Sequence, residues 1–152
     1  MKKFILPILL IFICFHSFSQ NCEEREGKLL SLMGSFSAGF LYNTYGLIGS
    51  IADGFEQGAY NATTVMDLLD AQKTVADNMT NSLEKMTTEN VFLKQTDKEY
   101  VVALINIIKG LKIQSQFLLA IVKNKTQKNR FAYEEQRNKN WKDLSKLMGI
   151  KE

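Results

Sequence analysis

The chain has 152 residues, of which 45% are hydrophobic and 23% charged, with 19 basic and 16 acidic side chains and a net charge of +3. That length suits one domain with a real core and is short for two. One proline, two cysteines and one histidine leave little material for disulfide, metal or imidazole chemistry.

The opening segment MKKFILPILLIFICFHSFSQ places Lys2 and Lys3 before an apolar run from Phe4 to Phe15, followed by Ser17-Phe18-Ser19. This is the layout of a secretory signal peptide, with cleavage predicted between Ser19 and Gln20, and it implies export to a periplasm or the extracellular space. The run falls short of the ~20 apolar residues that span a bilayer. Residues 1–19 are therefore read as the signal and 20–152 as a single helical domain. Without the signal, Lys2 and Lys3 go, leaving 17 basic against 16 acidic residues. Cys14 and His16 go as well, so Cys22 is the one cysteine left and no histidine remains.

That loss excludes Ser-His-Asp and Cys-His nucleophiles, imidazole acid–base work and histidine-containing zinc, haem or di-iron sites. A single cysteine cannot close an internal disulfide; in an oxidising compartment it stays free, pairs between chains or is modified. Its position beside the new N-terminus suits a tether. Lipidation there is disfavoured by the preceding Gln20-Asn21, where small residues are wanted.

Strand-type alternation is nearly absent, and long segments repeat apolar residues every three to four positions. A first helix is predicted from Asn21, capped by the Asn21–Glu24 pair, through Tyr60, with a kink near residues 43–46. A second is cued by NATTVMDLLDAQ, with Val65, Leu68, Val75, Met79, Leu83 and Met86 on one stripe. A third opens on the capping pair Thr96–Glu99 and carries Val101, Leu104, Ile108, Leu111, Leu118 and Val122. The fourth runs from about Lys128 to Met148 with Phe131, Trp141, Leu144 and Met148 on one side. Four long helices with short connections predict an all-α, up-and-down antiparallel four-helix bundle. Three helices with a C-terminal helical arm is the alternative.

Charge is uneven along the chain: residues 20–70 hold seven acidic and two basic side chains, and residues 123–152 nine basic and four acidic. Complementary ends favour the first and last helices lying side by side, or one chain's tail meeting another's head. The basic tail KNKTQKNRFAYEEQRNKNWK interleaves aromatics in the manner of a nucleic-acid patch. Export and an ordinary solvated helix face argue against that partner, so no nucleic acid is expected. Asn61-Ala62-Thr63, Asn78-Met79-Thr80 and Asn124-Lys125-Thr126 fit the glycosylation acceptor pattern, which arises readily by chance in such a chain.

The stretch GLIGSIADGFEQG carries four glycines inside a helical pattern, although each costs about 0.8 to 1 kcal/mol relative to alanine there. On a helical wheel Leu29, Met33, Phe36, Phe40, Leu47, Ile51 and Phe55 form the expected core stripe. Ser35, Gly39, Tyr42, Gly46, Ser50, Asp53 and Gln57 cluster on a different face, flanked by Asn43 and Gly49. No charge occurs from Leu29 to Ala52, a run of 24 residues, so this second face is expected to be covered. Small residues at such spacing let another backbone approach closely. The predicted interface is Gly39, Tyr42, Asn43, Gly46, Ser50, Asp53, Gly54 and Gly58.

Three coverings are open: another helix of the same bundle, another protein or a second copy, or lipid. Asn43, Thr44 and the neighbouring tyrosines count against lipid, so membrane contact is the lesser expectation. The motif LYNTYG sets two phenols beside the backbone at Gly46, which could bond an unspecified small polar molecule. Asp67 and Asp70, one turn apart, read as charges compensating a helix dipole, because glycosidase carboxylates face each other across a cleft. The sequence predicts no catalysis, no cofactor and no metal. It predicts a binding or assembly module with a protein partner or self-association; the alternative is a membrane-active protein inserting residues 29–52.

Overall fold

The computed structural model describes residues 5–150 other than 90 and 93, with side chains from Glu24 onward. It is an all-α four-helix bundle: α1 (Ile5–Glu56), α2 (Ala62–Thr88), α3 (Gln95–Lys123) and α4 (Gln127–Met148). The chain divides into two compact units, one ending at Phe36 and one beginning at Ser37. The second unit contains the bundle. Within the first, Leu29, Leu32 and Phe36 are exposed.

Helix boundaries follow local chemistry. α1 does not begin at Asn21, whose side chain lies outside the described residues; the helix runs straight through that position. The Ile- and Leu-rich segment before it continues a helix without difficulty. Glu24, freed from a capping role, pairs with Lys28 at 2.7 Å. α1 stops at a Schellman turn, in which Ala59 N donates to Gly54 O at 2.8 Å and Gly58 N to Phe55 O at 3.2 Å. Gly58 sits at φ 76°, a left-handed conformation that glycine adopts at no steric cost.

Asn61 caps α2, its side chain accepting from Thr64 N at 2.9 Å. Thr126 caps α4 in the same way through Asn129 N, and Gly149 ends that helix at φ 68°. α3 differs from expectation. It begins at Gln95 behind Lys94, so Thr96 and Glu99 lie inside the helix, and Glu99 accepts instead from Gln95 Nε2 at 3.1 Å.

The predicted stripe of α3 is buried except at the half-buried Val122, and Ile105, Ile107, Gly110, Gln114 and Ile121 join it. α3 packs on both α2 and α4, so it is apolar round much of its circumference. That explains why its length and composition alone would allow it to cross a membrane. The stripes on α2 and α4 need correction. α2 buries Val65, Leu69, Ala76, Thr80 and Leu83, leaving Leu68 and Val75 exposed and Met79 and Met86 half-buried. α4 buries Tyr133, Asn140, Leu144 and Ser145, whereas Phe131 is 69% exposed. In both helices small or polar residues, Ala76 and Thr80 on α2 and Asn140 and Ser145 on α4, take buried positions that hydrophobicity alone does not mark.

Direction is set by cross-helix pairs. Lys109 meets Glu84 at 2.6 Å, and Lys112 meets Asp77, so α2 and α3 run oppositely. Arg130 meets Glu56 at 3.0 Å and Tyr45 meets Trp141 with ring centroids 5.6 Å apart, so α1 and α4 do the same. Lys125 adds a cation–π contact, 4.3 Å from the Phe55 ring centroid.

α3 and α4 pack closely at Gly110. Asn140, fully buried, donates through Nδ2 to Gly110 O at 3.1 Å and to Gln114 Oε1 at 2.8 Å. Gln136 Nε2 donates to Asn140 Oδ1 at 2.8 Å. Gln114, also fully buried, reaches Tyr133 Oη at 3.4 Å. These amides satisfy one another, as burial demands. Gly110 makes the arrangement possible, because a methyl group there would overlap Asn140 Oδ1. Gly110→Ala should destabilise the bundle by about 2 to 3 kcal/mol, through overpacking and a broken buried amide pair. Urea denaturation checks this, and Gly46→Ala in the same helical context serves as the control.

Candidate interaction face on the first helix

Between Ser37 and Glu56, α1 buries Ser37, Leu41, Thr44, Ile48, Gly49, Ile51 and Ala52. Of the stripe predicted from the wheel, Ile51 is fully buried, Met33, Phe40 and Phe55 are half-buried, and Leu29, Phe36 and Leu47 are exposed. The true face is centred near Ile48, about a quarter-turn away, because α4 presses on the Tyr45–Gly49 side. Arg137 Nη2 lies 3.5 Å from where a Cβ on Gly49 would stand, and the Arg137 guanidinium hydrogen-bonds to Tyr45. Burial pulls the Arg137 pKa down, but that bond and the neighbouring phenols outweigh it and raise it overall.

The rotation leaves the small-residue face directly opposite the core. Gly39, Tyr42, Asn43, Gly46, Ser50 and Asp53 are all exposed, with Tyr42 at 53%. A Cβ built on Gly39 or Gly46 would meet nothing within 4 Å. The expectation that a helix of the same bundle covers this face is therefore overturned among the described residues. The two remaining predicted members have internal explanations. Gly54 is roofed by the Tyr60 ring, 2.5 Å from where a Cβ would stand, and Gly58 supplies the left-handed turn.

The structure does not gather the other candidate chemistry. Tyr42 points to solvent while Tyr45 stacks on Trp141, so the two phenols of LYNTYG diverge. Asp67 and Asp70 are exposed on the rim of a 380 Å³ cleft floored by Ile48, Leu69, Ala76 and Leu111. The rim also carries Lys73, Lys112 and Lys123, and no carboxylate faces another across it. Among the described residues, no group of three or more His, Cys, Asp and Glu side chains is placed to hold a metal.

Sequence reasoning missed the buried amides. Gln114, Gln136 and Asn140 read as ordinary polar positions; the one available signal was the lone Gly110 within an apolar run. Tyr133 joins them. Its pKa is raised above 10.0 by burial, with Glu134 and Asp53 adding to the rise and the Gln114 hydrogen bond and Arg137 opposing it.

Comparison with known proteins finds no matching family model, no matching curated protein and no matching solved structure.

Two outcomes follow. Exposed Gly46→Ala should raise stability by about 1 kcal/mol, since it removes backbone freedom without a clash, whereas Gly54→Ala should lower it by displacing Tyr60; thermal melts compare them. The second concerns pH. A phenol raised in the fold gives its full stabilisation below the unfolded value of 10.0 and loses it as pH rises through the folded value. Tyr133→Phe should therefore flatten the alkaline fall in stability, followed by denaturant titration across that range.

Proposed function

We propose that the protein is an exported, non-catalytic helical module that binds or assembles through the outer face of α1, centred on Gly39, Asn43, Gly46 and Ser50. One observation carries the reading: Gly39 and Gly46 stand in mid-helix with open space above them. Each weakens the helix by about 1 kcal/mol and relieves no crowding among the described residues, so its benefit lies in whatever covers the face. A helix face meant only for water would carry lysine and glutamate, and this one has no charge before Asp53. Glycine and serine at this spacing admit a second backbone at short range, where van der Waals and Cα–H contacts add up. Export rests on the N-terminal charge and hydropathy pattern.

Partners are proteins; nothing on this face recommends nucleic acid, and Asn43, Ser50 and Asp53 make it a poor surface to insert in hydrocarbon. The test is the double substitution Gly46→Leu with Ser50→Leu. The melting temperature should hold or rise, because both positions are exposed, while the protein's complex or oligomer is lost on size-exclusion chromatography with light scattering. An unchanged assembly in a well-folded double variant contradicts the proposal.

A further inference from the structure

We propose that the cleft between α1, α2 and α3 binds a slender apolar carboxylate of the medium-chain fatty acid kind. The cleft takes in Thr44 and Ile48, both on the buried side of α1, so it is separate from the exposed face on which the assembly reading rests. At 380 Å³ it has the size of a small-molecule site. Its floor of Ile48, Leu69, Ala76 and Leu111 is aliphatic, and Met66 and Leu119 extend it. One buried polar group lines it as well. Thr44 is 6% exposed, and its hydroxyl enters no hydrogen bond among the described residues, whereas Thr74, Ser82 and Ser115 each donate to the carbonyl four residues back. It is not one of the fully enclosed unpaired hydroxyls, which belong to Thr80 and Ser145. Buried polar groups are ordinarily paired, and the side on which Thr44 keeps access is the cleft.

Height along the bundle separates a polar end from an apolar one. α1 ends at Glu56 and α2 starts at Ala62, so at ~1.5 Å per residue Thr44 and Lys73 both stand about 17 to 18 Å from that turn. Ile48 and Leu69 stand about 10 to 12 Å from it, and Met66 about 6 Å. On the third side the Lys112–Asp77 pair sets α3 antiparallel to α2, which brings Gln116 level with Lys73, Leu119 level with Asp70, and Lys123 level with Met66. The polar end is therefore Thr44, Lys73 and Gln116. Lys112 is engaged by Asp77, whereas Lys73 is exposed and in no ion pair among the described residues. Asp67 and Asp70 lie nearer the turn, toward Lys123, so the acidic charge of the rim falls beside the apolar end. One ammonium and one hydroxyl match the two oxygens of a carboxylate, the hydroxyl donating a charge-assisted hydrogen bond. A phosphate would bring further oxygens toward Asp70 without donors to meet them. From Lys73 to Met66 is about 10 Å along the helix, the reach of a chain of about ten carbons at ~1.2 Å of advance per bond.

Isothermal titration calorimetry with decanoate, held below its micelle concentration and added to the protein in the form its host cell leaves it, tests the proposal. One molecule should bind per chain, in the micromolar range. Thr44→Val and Lys73→Gln should each weaken binding about tenfold by removing a bond to the charged head, and decanol should bind about tenfold more weakly than decanoate for the same reason. Lys123→Gln, at the apolar end, should leave the affinity unaltered. Because Thr44 is buried, Lys73→Gln at its exposed position is the decisive variant, with circular dichroism confirming an intact fold. No saturable binding of decanoate overturns the site. Decanol binding as tightly as decanoate overturns carboxylate recognition and leaves only an apolar groove. Equal losses in Lys73→Gln and Lys123→Gln overturn the assigned orientation, since the charge requirement then belongs to the rim at large.

Discussion

The packing of this bundle depends on how closely α4 lies against α3. Gly110 removes the side chain that would hold the helices apart, and Asn140 fills the space with an amide bonded to the Gly110 carbonyl and to Gln114. A buried amide left unpaired would cost about 1 to 3 kcal/mol, so the contact tolerates only a narrow range of registers. Leucines alone would permit several. With α3 and α4 locked in this way, Arg137 and Trp141 are presented to α1 at fixed positions, and Tyr45 and Gly49 dock against them.

That docking decides which face of α1 is left over. Leu41, Ile48, Ile51 and Ala52 turn inward, and the opposite side, with Gly39, Gly46 and Ser50, turns out. The bundle is thus complete without the small-residue face. Of the four glycines in GLIGSIADGFEQG, Gly49 meets α4, Gly54 sits beneath Tyr60 and Gly58 makes the stop. Of those four, Gly46 alone answers to nothing among the described residues, and Gly39 one turn-pair earlier resembles it. Selection for fold stability would replace both with alanine.

The helical class and the four elements were legible because the apolar period persists over long segments; the left-handed stop at Gly58 was not, since Gly58 was placed on the small-residue face of a helix running past it. The buried stripe of α3 was read almost correctly, since a helix flanked on two sides buries most of its apolar residues, although Val102 and Ile113 stay exposed. α1, α2 and α4 were misread in rotation. Each has apolar residues on more than one side, and Leu47, Val75 and Phe131 look no different in sequence from Ile48, Leu69 and Leu144. What settles the rotation is long-range: the Gly110–Asn140 contact, the Tyr45–Trp141 stack and the cross-helix ion pairs. The small-residue face itself was visible in sequence, but its exposure was not, because exposure depends on which neighbour claims the other side.

Tyr42 offers the most direct measurement, since it stands on the outer face at 53% exposure while Tyr133 is buried at 3%. Hydroxyl-radical footprinting read by mass spectrometry should find Tyr42 protected in the assembled protein and reactive after dilution or in Gly46→Leu, with Tyr133 protected throughout. Equal reactivity of Tyr42 at every concentration and in both proteins would contradict the view that this face exists to be covered.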